Sequence, residues 1–414
     1  MKKSMLLFKI LLTGGLAIGF FFACAPFSAR ADGTELQDIT PENVQSLQFL
    51  TSIGQGTFSG TLDWQPEDDL IAAAMEAGVA LLDRTTGKQS GFIPVGFPPT
   101  ALSISSDGER LAVVYNVPSG KINGTPAGPD YERRISLFSL PDGSRVGEEI
   151  SDLQQCAGSN IWQIAFTPDG NNLVFEKKYA FPPTEKLFCV LSLESGKITH
   201  MMEIPAGADT MISPDGRYVA LVPLDKEYKA DSAMIYMTPA FELAGEIQFG
   251  PVLWPAPSFT RQGVFVLRNF EGDIDASPHR LRFWSISKKS IPQQEPFATI
   301  LEDEQYYPET ALGIMDTPSN DRILSQDLSP DGQWIVTGSQ NGKVKLWDAA
   351  TGQFVKELAA LSWISHSLTG NPGGIQSYES NSYVNPVLFS SDGQTVAAAE
   401  DLTVFGQGGQ IHLF

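Results

Sequence analysis

The residues whose types could support chemistry are few and widely spaced. Glu271, Asp273 and Asp275 alternate in the segment FEGDID, and spaced carboxylate oxygens are ligands that Ca²⁺ accepts. The segment does not meet the D-x-D-x-D-G pattern of an EF-hand loop. An acidic solvated loop is therefore the favoured interpretation, and calcium binding is the alternative.

Histidine and nucleophile motifs give no catalytic or cofactor signal. Two histidines, His200 and His412, fall in predicted strands and are read as structural, whereas His279 and His366 fall on or near long loops. The sequence has no His-x-His, His-Glu-x-x-His or Cys-x-x-Cys spacing, so no dedicated transition-metal site is expected. It also has no Gly-x-Ser-x-Gly elbow, and its Gly-rich run 405–409 lacks the Lys of a phosphate cradle. We predict no cofactor.

Cysteine is scarce. The chain has three cysteines, of which Cys24 lies in an apolar N-terminal stretch, whereas Cys156 and Cys189 lie in the body of the chain. If the protein is exported, Cys156 and Cys189 can form a disulfide. Two buried free thiols are an equally good interpretation of these residues.

A short turn of the type Ser/Pro-Asp-Gly recurs along the chain. Its seven copies, three of them complete, lie at residues 66–68, 106–108, 168–170, 214–216, 260–263, 330–332 and 391–393. Each copy separates two short apolar segments, which is the pattern of a β-hairpin. The 38 glycines and 28 prolines among 414 residues also favour many turns over long helices.

The clearest unit, SPDGQWIVTGSQNGKVKLWDAATGQFVKEL, spans Ser329–Leu358. It contains the first turn, a strand, an Asn341-Gly342 turn, a second strand, a Thr351-Gly352 turn and a last strand. Together with the strand before Ser329, it predicts an antiparallel sheet of four strands.

On these residues the chain resembles the tryptophan–aspartate (WD) repeat β-propellers. Trp347-Asp348 is the complete WD pair, and Leu82-Asp83, Phe138-Ser139 and Trp284-Ser285 are degraded versions of it. The resemblance covers about residues 47–414. No Gly-His pair precedes any unit, so the family's His–Asp hydrogen-bond network is not expected.

The two ends of the repeat region predict how the ring closes. The last segment, Gln410–Phe414, aligns with Lys343–Trp347 and therefore ends on the third strand of a unit. A spare strand, Leu47–Ile53, precedes the first unit. The fold class that follows is all-β, a seven-bladed β-propeller whose N-terminal outer strand completes the last blade. A ring of six or eight blades would follow if the weak fourth or fifth unit were misread.

The unequal lengths of the segments between strands predict which face of the ring binds a partner. The turns after the first and third strands of each unit are short, and they share one end of the ring, which we name the trimmed face. The long segments follow second or fourth strands and share the opposite end, the elaborated face. They are predicted as loops at 117–132, 177–185, 224–232, 269–278, 301–320, 362–383 and 400–409. Loops on a rigid scaffold carry function, so this face is the predicted binding site. Its candidate residues are Tyr131, Tyr179, Tyr228, Phe270, Asp273, Asp275, Tyr306, Tyr307, Trp363 and Tyr378.

The first 31 residues carry the pattern of an export signal. Three lysines lie among the first nine residues, an uncharged apolar stretch follows, and Ala29–Ala31 forms an A-x-A cleavage pattern. Cleavage after Ala31 is favoured, with residues 32–46 as a linker to the propeller at 47–414. Lipidation of Cys24, which follows Ala23 as at the end of a lipobox, and an uncleaved membrane anchor are the alternatives.

The net charge of the chain limits the classes of partner that it is expected to bind. The predicted signal holds four basic residues and no acidic one, so its removal would change the formal net charge from −20 to −24. Such a surface repels the phosphates of nucleic acids and anionic lipid headgroups. Membrane contact is therefore expected only through a signal anchor or a lipid.

Taken together, these features predict an exported bacterial protein, periplasmic, extracellular or surface-tethered. We expect a monomeric, non-catalytic scaffold that binds a protein or peptide, since aromatic and acidic loops suit a basic partner. One alternative is a propeller hydrolase or lyase acting on a small ester or glycan at the central channel. A purely structural envelope protein is the other.

Overall fold

A computed structural model shows a ring of antiparallel β-sheets. It describes residues 51–53, 58–65, 70–118, 131–153, 156, 160–178, 186–205, 207–270, 279–286, 296–301, 323–339, 342–360, 364–366, 378–380, 383–401 and 410–414. The strands are β1 (Thr51–Ile53), β2 (Phe58–Trp64), β3 (Leu70–Met75), β4 (Gly78–Asp83), β5 (Lys88–Pro94), β6 (Pro99–Ile104), β7 (Arg110–Pro118), β8 (Tyr131–Ser139), β9 (Arg145–Ile150), β10 (Asn160–Phe166), β11 (Asn172–Lys178), β12 (Lys186–Ser192), β13 (Lys197–Ile204), β14 (Asp209–Ile212), β15 (Tyr218–Val222), β16 (Lys229–Met237), β17 (Glu242–Phe259), β18 (Phe265–Phe270), β19 (His279–Trp284), β20 (Ala298–Leu301), β21 (Ile323–Leu328), β22 (Trp334–Ser339), β23 (Lys343–Asp348), β24 (Phe354–Ala360), β25 (Ile364–His366), β26 (Tyr378–Ser380), β27 (Tyr383–Phe389), β28 (Val396–Asp401) and β29 (Gln410–Leu413). Across these ranges, no helix has the length and apolar character that a membrane crossing requires.

The strands form seven blades of four, as the sequence predicts. Blades 1, 2, 3 and 6 are the sheets β2–β5, β6–β9, β10–β13 and β21–β24. Blades 4 and 5 share β17, whose first half is the outermost strand of blade 4 and whose second half is the innermost strand of blade 5. The first strands of successive blades contact one another. These first strands therefore surround the central channel.

The ring closes through the N-terminal strand, which confirms the predicted closure. Blade 7 consists of β27, β28 and β29, and β1 is its outermost strand. Thr51 pairs with Leu413 and Ile53 pairs with Ile411 in antiparallel register. The outer edge of β29 is thus paired rather than exposed, and the ring has no open seam in that blade.

The blades adhere through apolar side chains at every seam. Seven buried clusters each combine residues of two neighbouring blades. At the seam that closes the ring, Trp64 and Ile71 of blade 1 pack with Ala397 and Leu413 of blade 7, and all four are fully buried. Alternate residues of a strand face the two neighbouring blades, so the middle strands read as continuous apolar runs.

The recurring turn has a hydrogen-bond reason for its sequence. In blade 6, one carboxylate oxygen of Asp331 accepts the Ser329 hydroxyl at 2.5 Å and the Gln333 N–H at 2.9 Å. Gly332 then takes a φ of +73°, which costs glycine little. The same contacts recur at Asp107, Asp169, Asp215 and Asp392.

The division into two faces holds with one correction. The turns after first and third strands span four to six residues, except the connection 285–297 of blade 5. The prediction that all these turns are short is therefore wrong at that position. The longest connections, 302–322 and 361–382, follow the outermost strands β20 and β24, which end at the elaborated face. The second of them includes the pair β25–β26.

Some segments predicted as loops are the ends of strands. Lys177 and Lys178 belong to β11, residues 229–232 to β16, and Glu400 and Asp401 to β28. The charge at these positions argues for loops when the sequence is read locally. In the ring, however, the strands continue through these positions, and the side chains of Lys177 and Glu400 are buried there.

A disulfide joins Cys156 to Cys189, with 6.5 Å between their Cα atoms. Cys156 lies in the connection between blades 2 and 3, and Cys189 lies in β12 of blade 3. Both residues are buried in the cluster at the seam of these two blades. The bond therefore fastens the connection to the blade that it enters.

Candidate functional site

The structure describes side chains for only two of the residues predicted to bind on the elaborated face. Tyr131 is the first residue of β8, and Tyr228 lies in the connection that precedes β16. Phe270 ends β18 and Tyr378 begins β26, and the structure describes only their backbone. The predicted residues outside the described ranges are Cys24, Tyr179, Asp273, Asp275, Tyr306, Tyr307 and Trp363.

Both described tyrosines are exposed at the elaborated face. Tyr131 is 44% exposed and Tyr228 is 58% exposed. The φ of Tyr228 is +60°, and its N–H donates to the Asp225 carbonyl at 3.1 Å. The two residues belong to blades 2 and 4, so blade 3 separates them. They offer two aromatic contact points rather than one cluster.

Charges of both signs surround the two tyrosines. Next to Tyr131, Arg134 pairs with Glu132 and with Glu149, the latter at 3.1 Å. Next to Tyr228, the Lys229 ammonium lies 2.5 Å from Glu227. Basic side chains therefore balance acidic ones next to both tyrosines, although the chain as a whole is acidic.

A third exposed aromatic residue, Trp162, lies in the innermost strand of blade 3. It is 60% exposed, although β10 is flanked by β6, β11 and β14. The β10–β11 register shifts between Ile161 and Ile164, and this bulge turns Trp162 out of the seam. The remaining open side of β10 is the channel. Trp162 is not among the binding residues predicted from the sequence. A Trp in a first strand does not signal exposure, since Trp64 in the first strand of blade 1 is fully buried.

At its trimmed end, the channel is crossed by Arg261. Arg261 lies in the first turn of blade 5, yet its guanidinium donates to the Trp64 carbonyl of blade 1 and lies 4.0 Å from the Asp63 carboxylate. Its backbone N–H donates to Asp327 of blade 6 at 3.0 Å. Blades 5 and 1 are not neighbours, so this side chain spans the axis.

The two carboxylates beside Arg261 link successive blades. Asp63 accepts the Ile104 N–H of blade 2 at 2.7 Å, and Asp327 accepts the Phe389 N–H of blade 7 at 2.8 Å. Burial raises the pKa of Asp63, against the opposing charge of Arg261. Burial likewise raises the pKa of Asp327, to about 6, although backbone N–H groups of Arg261 and Phe389 act in the other direction.

The carboxylates of Asp63 and Asp327 form hydrogen bonds that hold the blades together. Each has both oxygens engaged by backbone N–H groups or by Arg261. A general base or a metal ligand needs a lone pair that substrate or metal can reach. In the described part of the chain, no group of three or more His, Cys, Asp or Glu side chains could hold a metal ion.

Comparison with protein families matches one unit of the ring. Residues 311–348 match the family model for the WD domain, G-beta repeat (WD40). The matched stretch includes β21, β22 and β23 of blade 6, and ends at the Trp347-Asp348 pair. The Trp347 indole N–H donates to the Thr337 hydroxyl at 2.8 Å. Together with the seven-bladed ring, the match supports a WD-repeat β-propeller.

The buried Asp327 predicts an unusual pH dependence of stability. Its folded-state pKa of about 6 lies above the ordinary 3.8. Its contribution is therefore complete below about pH 4 and is lost as the pH rises through 6, by about 3 kcal/mol. We expect Asp327→Asn to flatten the decline in Tm between about pH 4 and pH 6.5.

Thermal unfolding at constant ionic strength measures this slope. Asp331→Asn removes an exposed carboxylate from the same blade and changes the net charge equally, so it should keep the slope of the wild type. If Asp327→Asn also keeps that slope, Asp327 does not titrate in this range.

Proposed function

We propose that this protein is an exported, non-catalytic propeller that binds a protein or peptide through its elaborated face. One observation carries the proposal: the two longest connections, 302–322 and 361–382, follow outermost strands, whereas the turns of the opposite end span four to six residues except at 285–297. Long loops held by a rigid ring can vary in sequence without cost to the blades. The exposed Tyr131 and Tyr228 support binding at the same face, since tyrosine is enriched in interfaces.

Two features support export. The first 31 residues carry the signal pattern described above, and the Cys156–Cys189 disulfide is a bond that persists in oxidising compartments. Tethering through a lipid on Cys24 or through an uncleaved anchor is part of the same proposal. A basic peptide is the favoured partner because the chain carries a formal net charge of −20.

A peptide selection with matched loop variants tests the binding face. The protein is used to select peptides from a phage-displayed random library, and the affinity of the enriched peptides is then measured by calorimetry. Blade 5 supplies both a variant and a control, because residues 271–278 connect its second and third strands, whereas 287–295 lie in its trimmed-face connection.

Replacing 271–278 by a short Asn-Gly turn should weaken peptide binding about tenfold or more. The same replacement of 287–295 should leave binding unchanged. Tyr131→Ala combined with Tyr228→Ala should weaken binding without lowering Tm, since both side chains are exposed. Equal binding by all these variants, or a loss only on trimming 287–295, would place the site elsewhere.

A further inference from the structure

The channel wall near the elaborated face presents an indole to solvent. β10 begins at that face after the connection 151–159 and ends at Phe166 near the trimmed face. Trp162 is the third residue of the seven in this strand, so it lies nearer the elaborated face than the trimmed face. Since neighbouring blades cover both faces of blade 3, the exposed part of Trp162 faces the axis.

The residue after Trp162 adds a fixed hydrogen-bonding group. The Gln163 side-chain carbonyl accepts the Ile212 N–H of blade 4 at 2.8 Å, and this bond fixes the amide in place. Its NH₂ group has two donors, and within the described ranges no acceptor engages them. Gln163 is half-buried, so an amide donor directly follows the exposed indole along the same strand.

Neutral polar groups lie along the inner strands of other blades. The Thr100 hydroxyl donates to the Ile161 carbonyl at 3.1 Å, and the Gln326 amide donates to the Ser258 hydroxyl at 2.5 Å. Two carboxylates lie on strands beside Trp162. Asp209 of blade 4 is half-buried and already engaged, and Glu176, opposite the bulge, is fully buried and accepts the Thr210 hydroxyl. A cationic ligand would therefore find few accessible carboxylates near Trp162.

Arg261 and two carboxylates occupy the trimmed end of the channel. Arg261 spans the axis between blades 5 and 1 there, with Asp63 and Asp327 beside it. Among the described residues, these charged groups lie at the trimmed end, and Trp162 lies in the wall nearer the elaborated face. We name the channel space between them the cup.

From this arrangement we propose a second site, distinct from the loops, in which Trp162 and Gln163 bind the ring of a neutral sugar. A pyranose ring has an apolar C–H face that stacks on an aromatic ring, and a rim of hydroxyls that an amide can bond. A mostly apolar contact with a few fixed polar groups is typical of small-molecule sites. The acidic chain disfavours phosphorylated ligands.

Titration with maltotriose, cellotriose and chitotriose tests the proposal. The protein, labelled with ¹⁵N in its seven tryptophans, gives one indole N–H signal per tryptophan, and Trp162→Ala identifies the signal of Trp162. At least one trisaccharide should shift that signal with saturation. Calorimetry should show about tenfold weaker binding by Trp162→Ala and a smaller loss by Trp162→Phe.

Two further variants complete the design. Gln163→Met removes the amide donors and should weaken binding of the same trisaccharide. Phe92→Ala removes an exposed aromatic ring from the outermost strand of blade 1 and should leave binding unchanged. The peptide measurements with the loop variants are separate, so failure of either proposal is recognisable without the other.

Three results would overturn the sugar site. The first is that none of the three sugars binds. The second is that sugar binding is unchanged in Trp162→Ala. The third is that N-acetyl-arginine amide shifts the Trp162 signal whereas the sugars do not. The last result would identify the cup as a cation site.

Discussion

Deleting residues 1–57 is expected to destabilise the ring by about 3 kcal/mol or more, because blade 7 loses its outermost strand. The three residues of β1 pair with Ile411, His412 and Leu413, and all three partners are buried in the complete ring. Without β1, the outer edge of β29 becomes exposed and can pair with another chain. The variant should therefore unfold at a lower temperature and associate as its concentration rises.

Deletion of residues 1–46 is the matched control for that variant. It removes the predicted signal and linker and leaves β1 in place. Its Tm, measured by circular dichroism, and its elution volume at two concentrations should equal those of the intact ring. If the two deletions behave alike, β1 contributes nothing to closure, and β29 must be stabilised in another way.

Gly216→Ala is expected to cost several times more stability than Gly332→Ala, although both glycines end a Pro-Asp-Gly turn. At Gly216 the φ is +63°, and a Cβ atom would lie 1.8 Å from the Phe166 carbonyl oxygen of blade 3. At Gly332 the φ is +73°, and nothing lies within 4 Å of the same atom. Gly332→Ala should cost about 1 kcal/mol from backbone strain alone.

The clash at Gly216 adds a displacement of blade 4 against blade 3, so Gly216→Ala should cost about 4 kcal/mol or more. Urea unfolding of the two variants and the wild type measures both costs. A difference of less than about 1 kcal/mol would mean that the two blades part easily at this turn.

These two glycines show what the sequence can and cannot predict. The turn itself is readable, because Asp215 and Asp331 each bond a Ser hydroxyl two residues before and a backbone N–H two residues after. Such contacts are local in the chain. Whether the glycine touches the neighbouring blade depends on how the ring assembles, and that information is not local.

The difference between local and non-local contacts also explains why the fold could be predicted from the sequence more fully than the candidate site. Blade number and closure follow from repeated short contacts and from the spare strand before blade 1, so they were predictable. Blades 4 and 5 gave the weakest repeat signal, and there the unbroken β17 replaces a loop between blades. Arg261 reaches Trp64 across 197 positions of sequence, which no spacing rule reveals. The exposure of Trp162 depends on a bulge, and register shifts of this kind occur in six of the seven innermost strands, so the shift alone does not predict which side chain is exposed.

The direction of β1 determines at which face of the ring the N-terminal segment joins it. Thr51 lies opposite Leu413, at the end of β29 where that strand reaches the trimmed face, and the chain then runs towards the elaborated face. The 50 residues upstream of Thr51 therefore depart from the trimmed face. If that segment attaches the protein to a membrane, the attachment is on the side of the short turns. The elaborated face then lies at the end of the ring opposite to the attachment.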